Sequence, residues 1–381
     1  MKLIFASDSF KGSLSAEKTA ELLAKAAKEV FTDPECLFIP TADGGEGTLE
    51  AVRSARGGEL ITVPVTGPCF ETSQASYLRL SEKEALIEMS KASGLPLVPE
   101  DKRDPRYATT YGTGELVMHA LSQGASQIIL TLGGSATNDG GTGFLSALGF
   151  RFTDASGNAL KGTGEALSRI VRIDAQKVPE MVRKARFKAL CDVKNPLTGP
   201  DGATFTFGPQ KGGSKAALEA LEAGMKNYRK VLMETFGKDP DLIPGAGAAG
   251  GMGAALCLFL NASLTPGIEA VLDLVGFDEK IRGADAVITG EGRTDWQSFF
   301  GKVIQGVGDR AKKQGIPVYA LCGSLGEGYE KAYEHGIVSL MTTVDAPMNL
   351  DKAMERAEEL YYKAALRLFR FLDRNNQMKI N

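Results

Sequence analysis

Short apolar runs alternate with helix-period patterns at both ends of this chain. KLIFAS (2–7) is followed by Leu22, Leu23, Ala26, Ala27 and Val30 at helical spacing, with Ser15 placed to cap that helix and Glu17 in its first turn. CLFIP (36–40) and then GTLEAVRSA repeat the order of strand and helix. After residue 284 the rhythm returns as DAVITG, a helix through Gly301 to Gln314, IPVYALCG, a short helix, IVSLMTT and a long final helix. Strands alternating with helices predict a parallel sheet. From about Gly58 the pattern changes, and ELITVPVTGP, SQASYLRLS and EALIEMS read as strands joined by turns, the start of a mixed or antiparallel insertion. Beyond residue 105, helical patterns alternate with glycine loops: a helix near 113–123, the strand QIILTLGG, a polar helix near 214–236 and another at 250–260.

The expectation is an α/β fold of two α/β domains. Residues 1–58 and 280–381 form a doubly wound domain with a parallel sheet, interrupted by a second, mixed-sheet α/β domain of residues 59–279. In the final helix Leu350, Met354, Ala357, Tyr361, Ala364, Leu368 and Phe371 recur at spacings of four and three. This stripe is read as packing onto the sheet, with a homodimer contact as the alternative.

Composition narrows the class. With 381 residues, 43% apolar and 24% charged, the chain has material for a buried core, which excludes disorder and fibre. A net charge of −3 gives no footprint for nucleic acid or an anionic membrane. No apolar stretch reaches the ~18 residues of a membrane span, and MKLIFASDSF turns polar too soon for a signal peptide. A cytoplasmic protein with small-molecule partners is expected. The five cysteines are scattered without a C-x-x-C, so they are read as reduced, buried thiols rather than a disulfide framework or a zinc site. Two histidines cannot build a histidine-based metal centre, so oxygen ligands must hold any metal.

Glycine is the outlier at 45 residues, and it clusters where predicted strands end or helices begin, the ligand-binding positions of open α/β folds. SDSFKGS carries Asp8 and Lys11, and ADGGEGT carries Asp43 and Glu46. These groups suit a magnesium ion or a hydroxy acid; alternatively the glycines make a turn and the acids favour a helix N-terminus. LGGSATNDGGTG (132–143) follows an apolar strand, and its glycines admit an anion to the backbone N–H groups, with Ser135, Thr137 and Asn138 as further donors. Gly245-x-Gly247-x-x-Gly250 has the dinucleotide spacing but no preceding strand, so an anion-binding helix start or tight packing explains it better. Walker A, HRD and DFG motifs are absent from the sequence. Asp192, Lys194 and Lys211, then Glu291, Arg293 and Asp295, complete a set of carboxylates and cations suited to phosphoryl transfer.

SDSFKGSLSA, ADGGEGT, LGGSATNDGG, CDVKNPLTG, FGPQKG, PGAGAAGG and TGEGR followed by Asp295 resemble the motifs of the type 1 glycerate kinases, in order and near spacing, from residue 4 to about 326. The chain departs from that pattern at Trp296, where the family usually has a small residue. The resemblance implies transfer of the γ-phosphoryl group of ATP to a hydroxyl of D-glycerate with Mg²⁺, with 2-phosphoglycerate favoured over 3-phosphoglycerate. It also implies a flavodoxin-like or Rossmann-like domain interrupted by the other, with the active site in a cleft between them. Matched to these motifs, Lys11 or Arg293 takes the glycerate carboxylate and Asp8 or Asp192 its hydroxyls, with Asp192 as general base and Asp295 in the same catalytic group. Asp43 and Glu46 are the Mg²⁺ candidates. Gly133, Gly134, Ser135, Thr137, Asn138 and Gly140 are assigned to the ATP phosphates, with Lys211, Gly247 and Gly250 as additions. The competing readings are a dinucleotide-dependent hydroxy-acid oxidoreductase and a non-catalytic metabolite-binding protein.

Overall fold

The computed structural model describes the chain except Lys11, Phe300, Ile380 and Asn381 and the side chains of residues 374–379. Its strands are, in chain order, β1 (Lys2–Phe5), β2 (Glu35–Phe38), β3 (Glu59–Thr66), β4 (Thr72–Arg79), β5 (Glu84–Glu88), β6 (Gln127–Thr131), β7 (Arg151–Thr153), β8 (Arg172–Asp174), β9 (Arg186–Leu190), β10 (Ser263–Thr265), β11 (Ala286–Thr294), β12 (Val318–Leu325) and β13 (Ile337–Thr342). Two compact units result. The first is Met1–Asp43, Glu50–Arg56 and Gly267–Asn381; the second is Gly44–Leu49 and Gly57–Pro266.

The first unit is built on a five-stranded sheet in the order β13-β12-β11-β1-β2, parallel throughout. Numbered within the unit, that is the flavodoxin order, and the direction of winding reverses between β1 and β11. The helix Ala16–Val30 starts where Ser15 accepts the Lys18 N–H through its side chain, and it buries Leu22, Leu23 and Ala26 against Tyr361, Leu368 and Phe369. The apolar stripe of the C-terminal segment is not one continuous face. The chain breaks at Arg356, which has non-helical backbone angles and pairs with Asp345 and Glu359. Only the helix Ala357–Lys379 packs in the core, burying Tyr361, Ala364 and Leu368, whereas Leu350, Met354 and Phe371 are exposed.

The second unit carries a six-stranded mixed sheet in the order β10-β9-β6-β5-β4-β3, parallel from β10 to β5 and antiparallel from β5 to β3. β7 and β8 form a separate antiparallel pair. The polar helix Lys215–Phe236 is capped by Ser214 and buries Leu221, Met225 and Tyr228 against the core. Around 250 the helical pattern begins late, because Ala249, Gly250 and Gly251 have φ of 51°, 69° and 99°. Gly250 needs that conformation and its lack of a side chain, since a Cβ there would lie 2.1 Å from the Thr137 carbonyl oxygen.

All five cysteines are free, but they are not uniformly buried: Cys69 is exposed and Cys322 is fully enclosed. Among the described residues no helix is long and apolar enough to cross a membrane.

Candidate active site

In open α/β sheets ligands bind outside the carboxyl ends of the strands where the winding reverses. Here that point lies beyond β1 and β11. The Asp8 N–H donates to the Gly290 carbonyl at 2.9 Å, which pins the loop after β1 to its neighbour, and the Asp8 carboxylate accepts the Ser9 N–H at 2.7 Å. β11 continues beyond this point and carries Glu291 and Arg293 forward. A cavity of about 680 Å³ opens at this end, with Asp8, Asp43, Glu291, Arg293 and Lys302 on its polar side and Leu14, Val344, Met348, Leu350 and Met354 on its apolar side.

Glu291 is buried, and its carboxylate accepts the Thr294 hydroxyl at 3.0 Å. Burial pushes its carboxyl above the ordinary value, and the Asp8 charge adds to that push, while Ser298, Thr294 and Lys302 oppose it. Arg293 is exposed, with its Nε 3.2 Å from Asp295. Asp295 itself lines no part of this cavity; it shapes the following turn by accepting the Gln297 N–H at 2.9 Å. Trp296 sits in that turn, 49% exposed, with its backbone N–H on the Glu327 carbonyl. Its bulk is therefore accommodated by solvent. Lys11, expected in the same site, lies outside the described residues.

In the second unit the glycine loops carry their own anions. Glu88, buried at the end of β5, accepts the N–H groups of Gly47 and Leu49 at 3.2 and 3.1 Å and the Ser90 hydroxyl at 2.9 Å. Glu46 is exposed and lines neither cavity described here. In the loop after β6, Gly133 and Gly134 reach the surface, but residues 135–142 are buried. Asp139 there accepts the N–H of Thr110, Gly141 and Gly143 and the Thr110 hydroxyl, at 2.9, 3.0, 3.2 and 2.7 Å. The Thr110 hydroxyl also accepts the Phe144 N–H. The start of the helix Thr142–Ala147 is thus met by the chain's own carboxylate. Burial holds the Asp139 proton more tightly than usual despite those donors.

Gly140, Gly247 and Gly250 likewise serve packing. Gly140 donates its N–H to the Gly250 carbonyl and Gly247 donates to Asn195. Asn138 donates to Thr204 at 3.1 Å. The oxidoreductase spacing at 245–250 follows a 3₁₀ turn, Pro240–Leu242, rather than a strand, so the dinucleotide geometry is missing. Asp192 is half-buried just past β9 and lines neither cavity.

Lys211 stands apart from this packing. It is 3% exposed, and its ammonium donates to the Ser135 hydroxyl at 2.8 Å and the Thr137 carbonyl at 2.6 Å. Burial lowers its pKa to about 7, with Asp139 acting in the opposite direction. Gly212 follows at φ 90°, where a Cβ would sit 2.3 Å from the Arg103 carbonyl oxygen; glycine lets the Lys211 turn close on the Arg103 segment. Lys211, Arg103 and Ala136 line a second cavity of about 550 Å³ within this unit.

Two residues central to this geometry, Glu88 and Asp139, escaped the motif reading. The available signal was a carboxylate at the last position of the buried strand EALIE and another inside a buried glycine run. Buried carboxylates need donors, and adjacent glycine loops supply them.

A flavodoxin-order sheet with acids and cations at its reversal point, on a chain that also buries a lysine beside a cavity, defines an α/β protein suited to small anions. The sequence model of the glycerate kinase family matches residues 3–373. A glycerate kinase of Halalkalibacterium halodurans is 44% identical over 95% of this chain and 96% of its own length. The glycerate 2-kinase of Escherichia coli K12 is 43% identical over 96% of each chain. A crystal structure from Salmonella typhimurium LT2 assigned as a glycerate kinase 2 superposes with a TM-score of 0.86 at 40% identity, covering 99% of both chains. The chain belongs to the glycerate kinase family.

Proposed function

We propose that the chain transfers the γ-phosphoryl group of ATP to D-glycerate, giving ADP and 2-phosphoglycerate in preference to the 3-phosphate. The observation that carries this reading is the meeting of Asp8, Glu291, Arg293 and Lys302 on one cavity at the reversal point of the first unit's sheet. Arg293 and Lys302 offer charge to the glycerate carboxylate. Asp8 accepts the proton of the attacking hydroxyl, in place of Asp192, which lines neither cavity. The new bond joins the glycerate oxygen to the γ-phosphorus, the bond from that phosphorus to the bridging oxygen breaks, and ADP leaves with the electron pair. The Escherichia coli relative, named a glycerate 2-kinase, supports the 2-hydroxyl as acceptor.

Among the described residues no group of three or more histidine, cysteine or carboxylate side chains forms a ready metal cage. Mg²⁺ asks for less, one or two carboxylates completed by phosphate oxygens and water. Asp43, on the same cavity as Asp8, fits that requirement and would hold it. When bound, the ion would neutralise phosphate charge.

The test is ADP release from ATP, Mg²⁺ and D-glycerate, with the product offered to enolase, which consumes only the 2-phosphate. Asp8→Asn should lower kcat by ~10² to 10⁴. No ADP from the wild-type enzyme, or near-normal turnover in the variant, would overturn the activity or the role respectively.

A further inference from the structure

The second unit's cavity differs in chemistry from the first unit's. Acids predominate on the first, where Asp8, Asp43 and Glu291 face Arg293 and Lys302. Cations predominate on the second: Lys102, Arg103, Lys161, Arg169 and Lys211 line it against Asp104 and Glu165, and the Asp104 charge is already answered by Arg106 at 2.7 Å. Its floor is apolar, made of Leu95, Val98, Ala108 and Ala136 packed on one another. Two aromatic side chains, Phe70 and Tyr107, stand exposed on its lining, and the Lys161 ammonium lies 5.2 Å from the centre of the Phe70 ring.

At about 550 Å³ this cavity falls within the usual ~300 to 1,000 Å³ of sites that enclose a whole cofactor; the first is larger still, at about 680 Å³, so the lining and not the size separates the two ligands. An apolar floor with aromatic neighbours suits a nucleobase, and a surplus of positive charge suits a polyphosphate. Lys211 is the strongest pointer. Among the described residues no carboxylate lies within ion-pairing distance of it, and its two hydrogen bonds go to neutral oxygens. Asp139 offsets its burial only in part, so an anion in the cavity would meet a donor whose charge lacks a direct ion-pair partner among the described residues.

We infer that this cavity is the nucleotide site, with the adenine on the Leu95, Val98, Ala108 and Ala136 floor and the phosphates against Arg103 and Lys211. The inference rests on the reading of ATP as phosphoryl donor. It moves phosphate recognition from the buried part of the 133–143 loop to that loop's exposed start and to the cations beside it.

Photolabelling of the full-length enzyme with 2-azido-ATP, followed by peptide mapping, tests the placement. Label should appear on Phe70, Tyr107 or residues 159–161, and excess ATP should protect these positions while D-glycerate does not. Ala159 is exposed on the cavity lining, so Ala159→Trp narrows the space without disturbing the core. It should raise KM for ATP at least tenfold and leave KM for D-glycerate in place, with an unchanged circular dichroism spectrum. Label on residues 344–354 of the first cavity, or an unchanged KM for ATP in Ala159→Trp, would overturn the placement. If the wild-type enzyme makes ADP normally and the label maps elsewhere, only the nucleotide site is wrong. If it makes no ADP from ATP and D-glycerate, the kinase reading fails and the inference with it.

Discussion

Replacing Lys211 by methionine should change how stability depends on pH. Burial takes this lysine from its ordinary 10.5 to about 7. Between those values the unfolded chain holds a proton that the folded chain lacks, so stability rises as pH increases from about 7 toward 10.5 and is lowest below 7. The whole span corresponds to about 5 kcal/mol. Methionine has similar length and no charge, so it removes this penalty. It also removes the hydrogen bonds to Ser135 and Thr137, about 1 kcal/mol each, and leaves a buried carbonyl unmet at about 1 to 2 kcal/mol more. Below neutral pH, Lys211→Met should therefore be more stable than the wild type by about 1 to 2 kcal/mol. Near pH ~10 the lysine penalty has almost gone and the order should reverse. Urea unfolding followed by circular dichroism at about pH 6.5 and about pH 9.5 measures both differences. Parallel pH profiles for the two proteins would refute the reasoning. A variant that is more stable yet no longer binds ATP would mark the lysine as a group retained for binding against the interest of the fold.

Two further substitutions probe packing and substrate binding. Gly250→Ala places a methyl group 2.1 Å from the Thr137 carbonyl oxygen and 2.6 Å from the Asn138 Cα at a left-handed backbone position, and should lower stability by about 3 kcal/mol or more, read as a drop in Tm. Arg293→Ala removes an exposed cation from the first cavity and should raise KM for D-glycerate about tenfold or more with KM for ATP little changed; equal effects on the two substrates would refute its assignment to the glycerate carboxylate.

Local pattern was enough to place most strands. KLIFAS, QIILT and DAVITG are short apolar runs ending in polar or glycine residues, and they become β1, β6 and the start of β11. The matching βα rhythm of the two chain ends anticipated a single parallel sheet that includes β1 and β11. Strand-end placement also made it legible that Asp8, Glu291 and Arg293 meet on one cavity, because side chains just past adjacent buried strands gather at the same end of the sheet. The glycine loops were harder. A run such as GGSATNDGG reads as an anion cradle, but its sequence does not say whose anion fills it. Asp139 reaches Thr110 across 29 positions, and Glu88 reaches Gly47 across 41. Such partners are chosen by tertiary packing, and no local period encodes them. The apolar stripe from Leu350 to Phe371 misled for a related reason: spacing continued through Arg356, but the backbone did not.

The position of β1 between β2 and β11 also sets a timetable for synthesis. β2 is available within a few dozen residues, but β11 begins only at Ala286. At ~5 to 20 residues per second, a ribosome needs tens of seconds to supply that second neighbour. Meanwhile residues 57–266 form an uninterrupted stretch that contains most of the other unit, so it can fold as it emerges. The Asp8 loop must wait, its apolar strand exposed on one edge, until the segment carrying Glu291 and Arg293 leaves the ribosome. Truncated nascent chains ending before Ala286 should therefore engage chaperones through the β1–β2 segment, and chains extended past Thr294 should release them.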